Sequence, residues 1–572
     1  MKLLRLKIND PKGFRSLRQG FEVHFLREWD YAEAREFNPY VLAGPNGSGK
    51  SNILEALAAI FFHMESIHLR YRPNNFRYDE EENPGGFREE VGTPDAFELE
   101  YFIPVPDSLR SETDQNIAHI CIVKELGQRP AIYWLNQSGI TNNTKALDKK
   151  TAKEVLPAYI LAYSSGENEI LSLPFFKMRF IHFDEYSDFL IRDDFYGQAP
   201  EGRLIYLDEQ FSQAILLSNL LLQPEEVLQP FEKELGLKTV KEFRLIIGKH
   251  QYETIHDDVF EAMAESDKVD LGKTRRELTS KLRTTIERLE SCSTAQYTVY
   301  DDEGVEKFRV LDFFVDEATK EAFRYHFQNT PLNLFKAFQI LHTLNYYTID
   351  QATRAHIYKS KNIYLKQEMA AIALGERSIF QVKDFKLDKD GVEDVIYTKS
   401  LSDGEHQFIH SLGLCLLYKD ENCLFLLDEP ETHFNPDWRA KFISRLRDCF
   451  SEGKSGETIR EMLITTHSPF LISDSRQEYV LLFDKNKALN SVSVRRPDFN
   501  TLGASINKIT MEAFEKGSTI GGYAEQILNK FKKRLSDGEA ADKIIDEANR
   551  TLGDSIEKIL FINELVNRRR DK

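Results

Sequence analysis

Eight consecutive residues, Gly44-Pro45-Asn46-Gly47-Ser48-Gly49-Lys50-Ser51, have the types and the spacing to hold phosphate. They satisfy G-x-x-x-x-G-K-[ST] at every fixed position. Glycines at 44, 47 and 49 free the backbone to turn its N–H groups toward phosphate oxygens, and a helix starting there adds a favourable dipole. Lys50 has the reach for the β- and γ-phosphates, and the Ser51 hydroxyl is the expected Mg2+ ligand. Hundreds of residues later, the apolar run Leu424 to Leu427 ends in Asp428 and Glu429. A carboxylate at the carboxyl end of a parallel strand points into the crevice where ligands bind. Asp428 is therefore expected in the Mg2+ shell, and Glu429 as the base that polarises an attacking water. A third run, Met462 to Thr466, leads to His467, placed to sense a γ-phosphate by hydrogen bonding, although a histidine at a strand end also serves purely structural purposes. Together these residues point to ATP with Mg2+ as the ligand and to hydrolysis as the reaction.

Such residues need a parallel sheet under them. The apolar segment Tyr40 to Ala43 reads as a buried strand before the loop, and Asn52 to Ile60 as the helix after it. Cys423 to Leu427 is long enough for a central strand and too short for a helix of its own. Further strands are expected at Glu22 to Phe25, Phe97 to Phe102, Ile117 to Val123, Ala131 to Leu135 and Tyr159 to Tyr163. Asp79 to Glu90, with consecutive glutamates and Pro84-Gly85-Gly86, reads as a solvated loop.

Composition narrows the class. The chain has 572 residues, 29% of them charged and 41% hydrophobic, which is globular rather than disordered. Its length amounts to about three to four domains. Cysteines at 121, 292, 415, 423 and 449 show no paired spacing and no C-x-x-C, which suggests a reducing, cytoplasmic setting without structural zinc. Met1-Lys2-Leu3-Leu4 opens directly into an alternating strand, so no signal peptide is expected before the fold. The apolar stretch Ala214 to Leu222 is interrupted by Ser218 and Asn219 well short of membrane-spanning length, so no membrane association is expected. A net charge of −17 argues against nonspecific coating of nucleic acid by the whole surface.

The order of phosphate loop, Leu401-Ser402-Asp403-Gly404-Glu405, Asp428-Glu429-Pro430-Glu431-Thr432-His433 and Thr465-Thr466-His467-Ser468-Pro469 resembles the ABC-type ATPase heads of the RecF, SMC and OLD group. Within that group it is most similar to the PtuA-type ATPases of Septu and retron-associated anti-phage defence systems. The resemblance covers roughly residues 1–185 and 378–500. It implies an α/β fold, an ABC-type P-loop ATPase head assembled from two sequence halves. It also implies a homodimer or higher even oligomer, in which Ser402 and Gly404 contact the γ-phosphate held by the other subunit and Glu431 to Asn435 cross the interface. Asp403 stands where ABC transporters usually carry glycine, and Glu405 where they carry glutamine; both variants suit the RecF-like branch. Tyr163 to Asn168 lies where such heads place their nucleotide-sensing Q-loop, but no glutamine stands there. A second Leu-Ser-Asp-Gly-Glu at 535–539 is followed by no strand and reads as a turn between helices.

The expected organisation is a head N-terminal half at 1–185, a mainly helical insertion at 186–377, a head C-terminal half at 378–500 and a helical C-terminal extension at 501–572. Within the insertion, helical patterns run over Leu204 to Leu222, Thr274 to Glu290 and Thr319 to Tyr347, with a strand at Arg309 to Val315. Prolines 224, 230 and 331 exclude long coiled arms. Strands are expected at Ser378 to Val382, Val392 to Tyr397, Tyr479 to Phe483 and Ser491 to Arg495. Lys273, Arg275, Arg276, Lys281, Arg283 and Arg288 crowd one expected helix, a second basic cluster is Lys530, Lys532, Lys533 and Arg534, and the tail carries Arg568-Arg569-Arg570. These clusters read either as contacts to a phosphate backbone or as solvated helix faces.

Three functions compete at this level. One is the ATPase subunit of a defence complex that regulates a partner nuclease through nucleotide-dependent head dimerisation. The resemblance implies a PtuB-like HNH nuclease as that partner, possibly joined by a retron reverse transcriptase and its RNA–DNA product. The second is a RecF/SMC-like DNA-repair ATPase that binds DNA directly, and the third is an OLD-type ATPase-nuclease. The third needs a C-terminal metal site with a glutamate and D-x-D, and no D-x-D follows His467. The purified chain is accordingly expected to show no metal-dependent nuclease activity on supercoiled or linear DNA. Cleavage by a preparation free of other polypeptides, abolished by replacing an acidic residue beyond 475, would reverse that ranking.

Overall fold

The computed structural model describes residues 1–26, 35–70, 72–112, 115–137, 145–165, 171–191, 202–249, 251–254, 274–362, 378–451, 458–486, 491–514 and 520–570. Its centre is a seven-stranded sheet in the order Ser491–Arg495, Val480–Asn486, Tyr40–Ala43, Glu461–Thr466, Cys423–Asp428, Tyr159–Ser164, Leu204–Tyr206. All pairings are parallel except the one at the Ser491–Arg495 edge. Five of these strands are buried along their whole length, which explains why their sequences are largely continuous apolar runs rather than alternating ones. The Lys50–His68 helix is buried on nearly every side, packed between this sheet and the Ser172–Ile191 helix.

A second, fully antiparallel sheet is ordered Phe21–His24, Lys2–Ile8, Phe97–Pro104, Ile117–Lys124, Ala131–Trp134. It is tied to the central sheet by a fully buried pair, with Lys2 Nζ 3.5 Å from Glu461 Oε1. The Leu3 backbone N–H donates to the other Glu461 oxygen at 2.9 Å. A buried pair is held where its remaining lone pairs find donors, as this one does.

Helices predominate among the described residues of 186–377, yet the segment also supplies three strands to a third sheet, of which sequence patterning showed only Arg309 to Val315; the strands expected at Ser378 to Val382 and Val392 to Tyr397 supply the other two. The order of this sheet is Ala295–Tyr300, Glu306–Phe314, Leu237–Gly248, Phe380–Lys389, Ile396–Tyr397, all antiparallel. The Phe380–Lys389 strand lies beyond residue 377, so this sheet joins the middle of the chain to the segment before Ser402. Three helical expectations change. Leu204 to Leu222 begins with the edge strand Leu204–Tyr206 and becomes helical only over Glu209–Leu222. Thr319 to Tyr347 is broken between the Glu317–His326 and Pro331–Leu344 helices, where Gln328 and Asn329 take positive φ of 56° and 52° and Pro331 opens the next helix. Thr274 to Glu290 splits into the Thr274–Glu277 strand, a short 3-10 turn and the Arg283–Cys292 helix. The spacing of Leu278, Leu282 and Leu289 misled because all three are buried, but the first lies in a turn.

Arg275, Arg276, Lys281, Arg283 and Arg288 are therefore spread over a strand, a turn and a helix rather than one helix face, and Lys273 lies outside the described residues. In the second cluster Arg534 is committed to Glu539 and Glu547, while Lys530, Lys532 and Lys533 are exposed. Gly522–Ser536, Ala541–Thr551 and Ile556–Arg570 form a helical unit with its own core of Leu528, Phe531, Ile544, Ala548, Phe561 and Leu565. The second Leu-Ser-Asp-Gly-Glu closes the first of these helices and turns through Gly538 at φ 93° into the next. Among the described residues no helix is long and apolar enough to cross a membrane.

Asn219, which interrupts the apolar Ala214 to Leu222 stretch, is fully buried and donates from Nδ2 to the carbonyls of Ile215 at 2.9 Å and Gly413 at 3.0 Å. It docks the Glu209–Leu222 helix against the Asp403–Leu417 helix. The approach is close: a Cβ at Gly413 would lie 2.7 Å from Ile215 Cγ2. Gly413→Val is thus expected to destabilise the fold by about 1–3 kcal/mol through overpacking. Urea denaturation checks this, and an unchanged midpoint would contradict the packing described.

Candidate active site

The register of the central sheet assembles the site. Asp428 stands opposite Thr465 on one side and Ser164 on the other, and Thr465 stands opposite Leu42, two residues before the phosphate loop. These strand ends form one row at the carboxyl edge of the sheet, where side chains leave the sheet for the crevice. Ser51 Oγ donates to Asp428 Oδ1 at 2.7 Å across 377 residues of chain. Thr465 Oγ1 donates to the same oxygen at 2.6 Å, and Ser164 Oγ to Oδ2 at 3.3 Å. Three hydroxyls thus surround a carboxylate that is 3% exposed.

The loop itself is built from left-handed backbone, with Gly47 at φ 73° and Gly49 at φ 96°. Neighbours leave no room for side chains: a Cβ at Gly44 would fall 2.4 Å from the Phe483 carbonyl oxygen, and one at Gly49 would fall 2.7 Å from Ser16 Oγ. Gly49 is the N-cap of the Lys50–His68 helix and provides no side-chain cap, which leaves the first helical N–H groups available to an anion. Ser48 Oγ is buried in the loop with no hydrogen-bond partner. An orphaned hydroxyl, uncapped helix donors and a lysine at one place fit a phosphate group.

Lys50 is 5% exposed. Its ammonium donates to the carbonyls of Gly44 at 3.0 Å and Pro45 at 3.2 Å, and lies 3.1 Å from His467 Nε2. Burial lowers its pKa to about 8, against the opposing pull of Glu429 and Asp428. Burial, reinforced by Lys50 and opposed by Asp428, lowers His467 to about 4. The ring is therefore neutral near pH 7 and accepts from Lys50 through Nε2, which puts its proton on Nδ1. Glu429 Oε1 lies 3.3 Å from the same Nε2. Burial and then Asp428 raise the Glu429 carboxyl, with Lys50 opposing. Glu429 also sits at φ 49°, a strained setting for a non-glycine residue, held by its N–H donating to the Thr465 carbonyl at 3.2 Å.

The structure brings Lys50, Ser51, Asp428, Glu429 and His467 together. Ser402 and Gly404 take part differently: Ser402 caps the Asp403–Leu417 helix in a reciprocal capping box with Glu405, which is also paired with Lys389. Asp403 is exposed at the helix start. Of the expected Q-loop, Ser164 and Ser165 are described and both bond into the site, whereas 166–168 lie outside the described residues.

Residues 312–473 match the family described as AAA domain, putative AbiEii toxin, Type IV TA system. The match is to an ATPase-type domain. It takes in Ser402, Gly404, Asp428, Glu429 and His467 but stops short of the phosphate loop in sequence. Protein ea59 of Escherichia phage lambda is 26% identical over 159 residues, 27% of this chain and 29% of that protein, so the chain matches under a third of its length. Two solved SMC heads align at 11% identity over 87% of this chain. The SmcHead bound to the C-winged helix domain of ScpA is covered to 97% with a TM-score of 0.32, and the SMC head domain from Thermotoga maritima to 100% with a TM-score of 0.30.

Sequence patterning missed Thr465 as a partner of Asp428, although a threonine closing an apolar strand beside a carboxylate strand is a readable signal. It also gave no sign that Glu431 is 4% exposed, takes a hydrogen bond from Thr466 Oγ1 and keeps Oε2 without a partner. Burial raises the Glu431 carboxyl to about 7, with Thr466 opposing. A carboxyl raised on folding contributes stability that is complete below its unfolded pKa and lost as pH rises through the folded one. Glu431→Gln removes that loss. Relative to wild type, the variant is expected to gain on the order of 3 kcal/mol between pH 4.5 and 8. Urea midpoints measured across that range check it, and a difference that is flat with pH would contradict it.

Proposed function

We propose that this chain is the ATP-binding and hydrolysing subunit of an anti-phage defence complex, in which nucleotide-dependent head dimerisation regulates a partner nuclease of the HNH type. The observation that carries the ATPase part is the Ser51–Asp428 contact at 2.7 Å. Two segments with independent phosphate and carboxylate chemistry meet at one point, beside an orphaned Ser48 hydroxyl and a buried Lys50. The match of residues 312–473 to an ATPase-type domain supports the same reading. Its description as a putative toxin of a Type IV TA system supports a setting of conflict rather than transport.

Lys50 binds the β- and γ-phosphates in place of the Gly44 and Pro45 carbonyls that now take its charge. Ser51 and Asp428 would hold Mg2+, which neutralises phosphate charge when bound. Glu429, raised by burial and half-exposed, takes a proton from the attacking water. Once phosphate draws Lys50 away, His467 Nε2 is free to change partner and donate as the other tautomer.

Ser402 and Gly404 begin the Asp403–Leu417 helix, whose N-terminus suits the γ-phosphate bound by another subunit. The simplest closure is a two-fold pair with two shared sites. Lys50→Ala is expected to lose ATP binding and Ser402→Arg to keep it, both without turnover. Independent sites would recover about one quarter of wild-type ATPase in a one-to-one mixture under random pairing. Coupled sites would recover less, while Glu429→Gln still associates on adding ATP. Retained ATP binding by Lys50→Ala would overturn the site, and full-rate hydrolysis by a strict monomer would overturn its sharing.

A further inference from the structure

The segment that leaves Glu429 is clamped to the helix that begins at Ser402, and the clamp has a polar residue at its centre that no motif includes. Gln407 is 2% exposed, and its Oε1 accepts the backbone N–H of His433 at 2.9 Å. One turn earlier on the same helix, Gly404 lies against the other side of that residue: a Cβ at Gly404 would come 2.8 Å from the His433 carbonyl oxygen. Gly404 and Gln407 are three residues apart and so share a helix face. Together they grip His433 at both its N–H and its carbonyl.

The rest of the segment is equally fixed. Thr432 Oγ1 donates to the Glu429 carbonyl at 2.9 Å and meets Ser165 Oγ at 2.9 Å. Arg439 donates to the carbonyls of Glu431 at 3.2 Å and Thr432 at 2.8 Å. Phe408, Phe434 and Trp438 pack as a trio with ring centroids 5.2 to 5.9 Å apart. Four residues after Glu429 the chain is thus bound to the Ser402 helix, with little slack for either end to move alone. At the centre, the Gln407 amide is buried and its other end faces the Tyr163 hydroxyl. Burying an amide is costly unless its polar groups find partners, and the acceptor oxygen finds the His433 N–H.

We propose that Gln407 is a positioning residue that holds the Ser402–Gly404 helix start in fixed relation to the Glu429 loop of its own subunit. This rests on the shared-site reading above. Glu429 serves the nucleotide on its own subunit, and Ser402 serves the one on its partner. A rigid link between them makes the loop geometry at one site set the donors offered to the other.

The test uses the full-length chain. Gln407→Met keeps the side-chain volume and removes the acceptor, leaving the His433 N–H unpaired; Gln407→Glu restores an acceptor oxygen. ATP affinity of the monomeric chain, measured with a fluorescent ATP analogue, is expected to stay within about twofold in Gln407→Met, because the phosphate loop is untouched. ATP-dependent association, measured by sedimentation in the Glu429→Gln background, is expected to weaken about tenfold and kcat to fall about as much, the scale of one buried hydrogen bond. Gln407→Glu is expected to recover most of both. Association unchanged in Gln407→Met would overturn the proposal. So would ATP affinity and melting temperature falling together with kcat in both variants, the signature of a merely structural residue. Failure of the Glu429→Gln parent to associate with ATP would instead fault the shared site itself.

Discussion

Asp428 is the point on which the molecule closes. Its carboxylate takes hydroxyls from Ser51, Thr465 and Ser164, one from each of three segments that the sequence keeps far apart. A buried carboxylate is tolerable only when donors surround it. The central sheet therefore must bring Tyr40–Ala43, Glu461–Thr466, Cys423–Asp428 and Tyr159–Ser164 side by side and in one register, since a shift by one residue would turn these side chains to the wrong face. The same register puts His467 Nε2 3.1 Å from the Lys50 ammonium and 3.3 Å from Glu429 Oε1.

What results is a site whose charges are balanced by dipoles. The Lys50 ammonium rests on two carbonyls and a neutral imidazole rather than on a carboxylate partner. Burial lowers Lys50 and His467 and raises Glu429, each shift disfavouring the charged form. A phosphate entering such a place would meet the uncapped N–H groups of the Lys50–His68 helix and would draw Lys50 from two carbonyls rather than from a carboxylate.

The sequence showed this site better than it showed the fold around it. Fixed spacing carried the phosphate loop, and continuous apolar runs carried the strands, because burial on both faces leaves a strong pattern. The Leu237–Gly248 sheet was legible in part: Arg309 to Val315, Ser378 to Val382 and Val392 to Tyr397 read as strands, whereas Leu237–Gly248 and Ala295–Tyr300 did not. Leu237–Gly248 carries charges that pair across to its neighbours, Arg244 with Asp312 and Lys241 with Asp388, and these break up its apolar pattern. The helical reading of Thr274 to Glu290 held only from Arg283 onward, because leucines at helical spacing continued back through a turn. Gln407 had no signal at all, since what matters in it is a contact to a backbone group brought close by the fold.

The neighbours of the phosphate loop have a consequence for how the chain is made. Tyr40–Ala43 is flanked by Glu461–Thr466 and Val480–Asn486, and the loop itself is walled by the Phe483 carbonyl and the Val492 side chain. On the ribosome the first half emerges with its phosphate cradle lacking those walls and both flanking strands. The cradle lacks these walls until synthesis has passed residue 492, and until then Tyr40–Ala43 lacks both of its flanking strands. The loop and the surfaces that enclose it are thus made at opposite ends of synthesis, and the cradle is completed only when the last of its walls has been added.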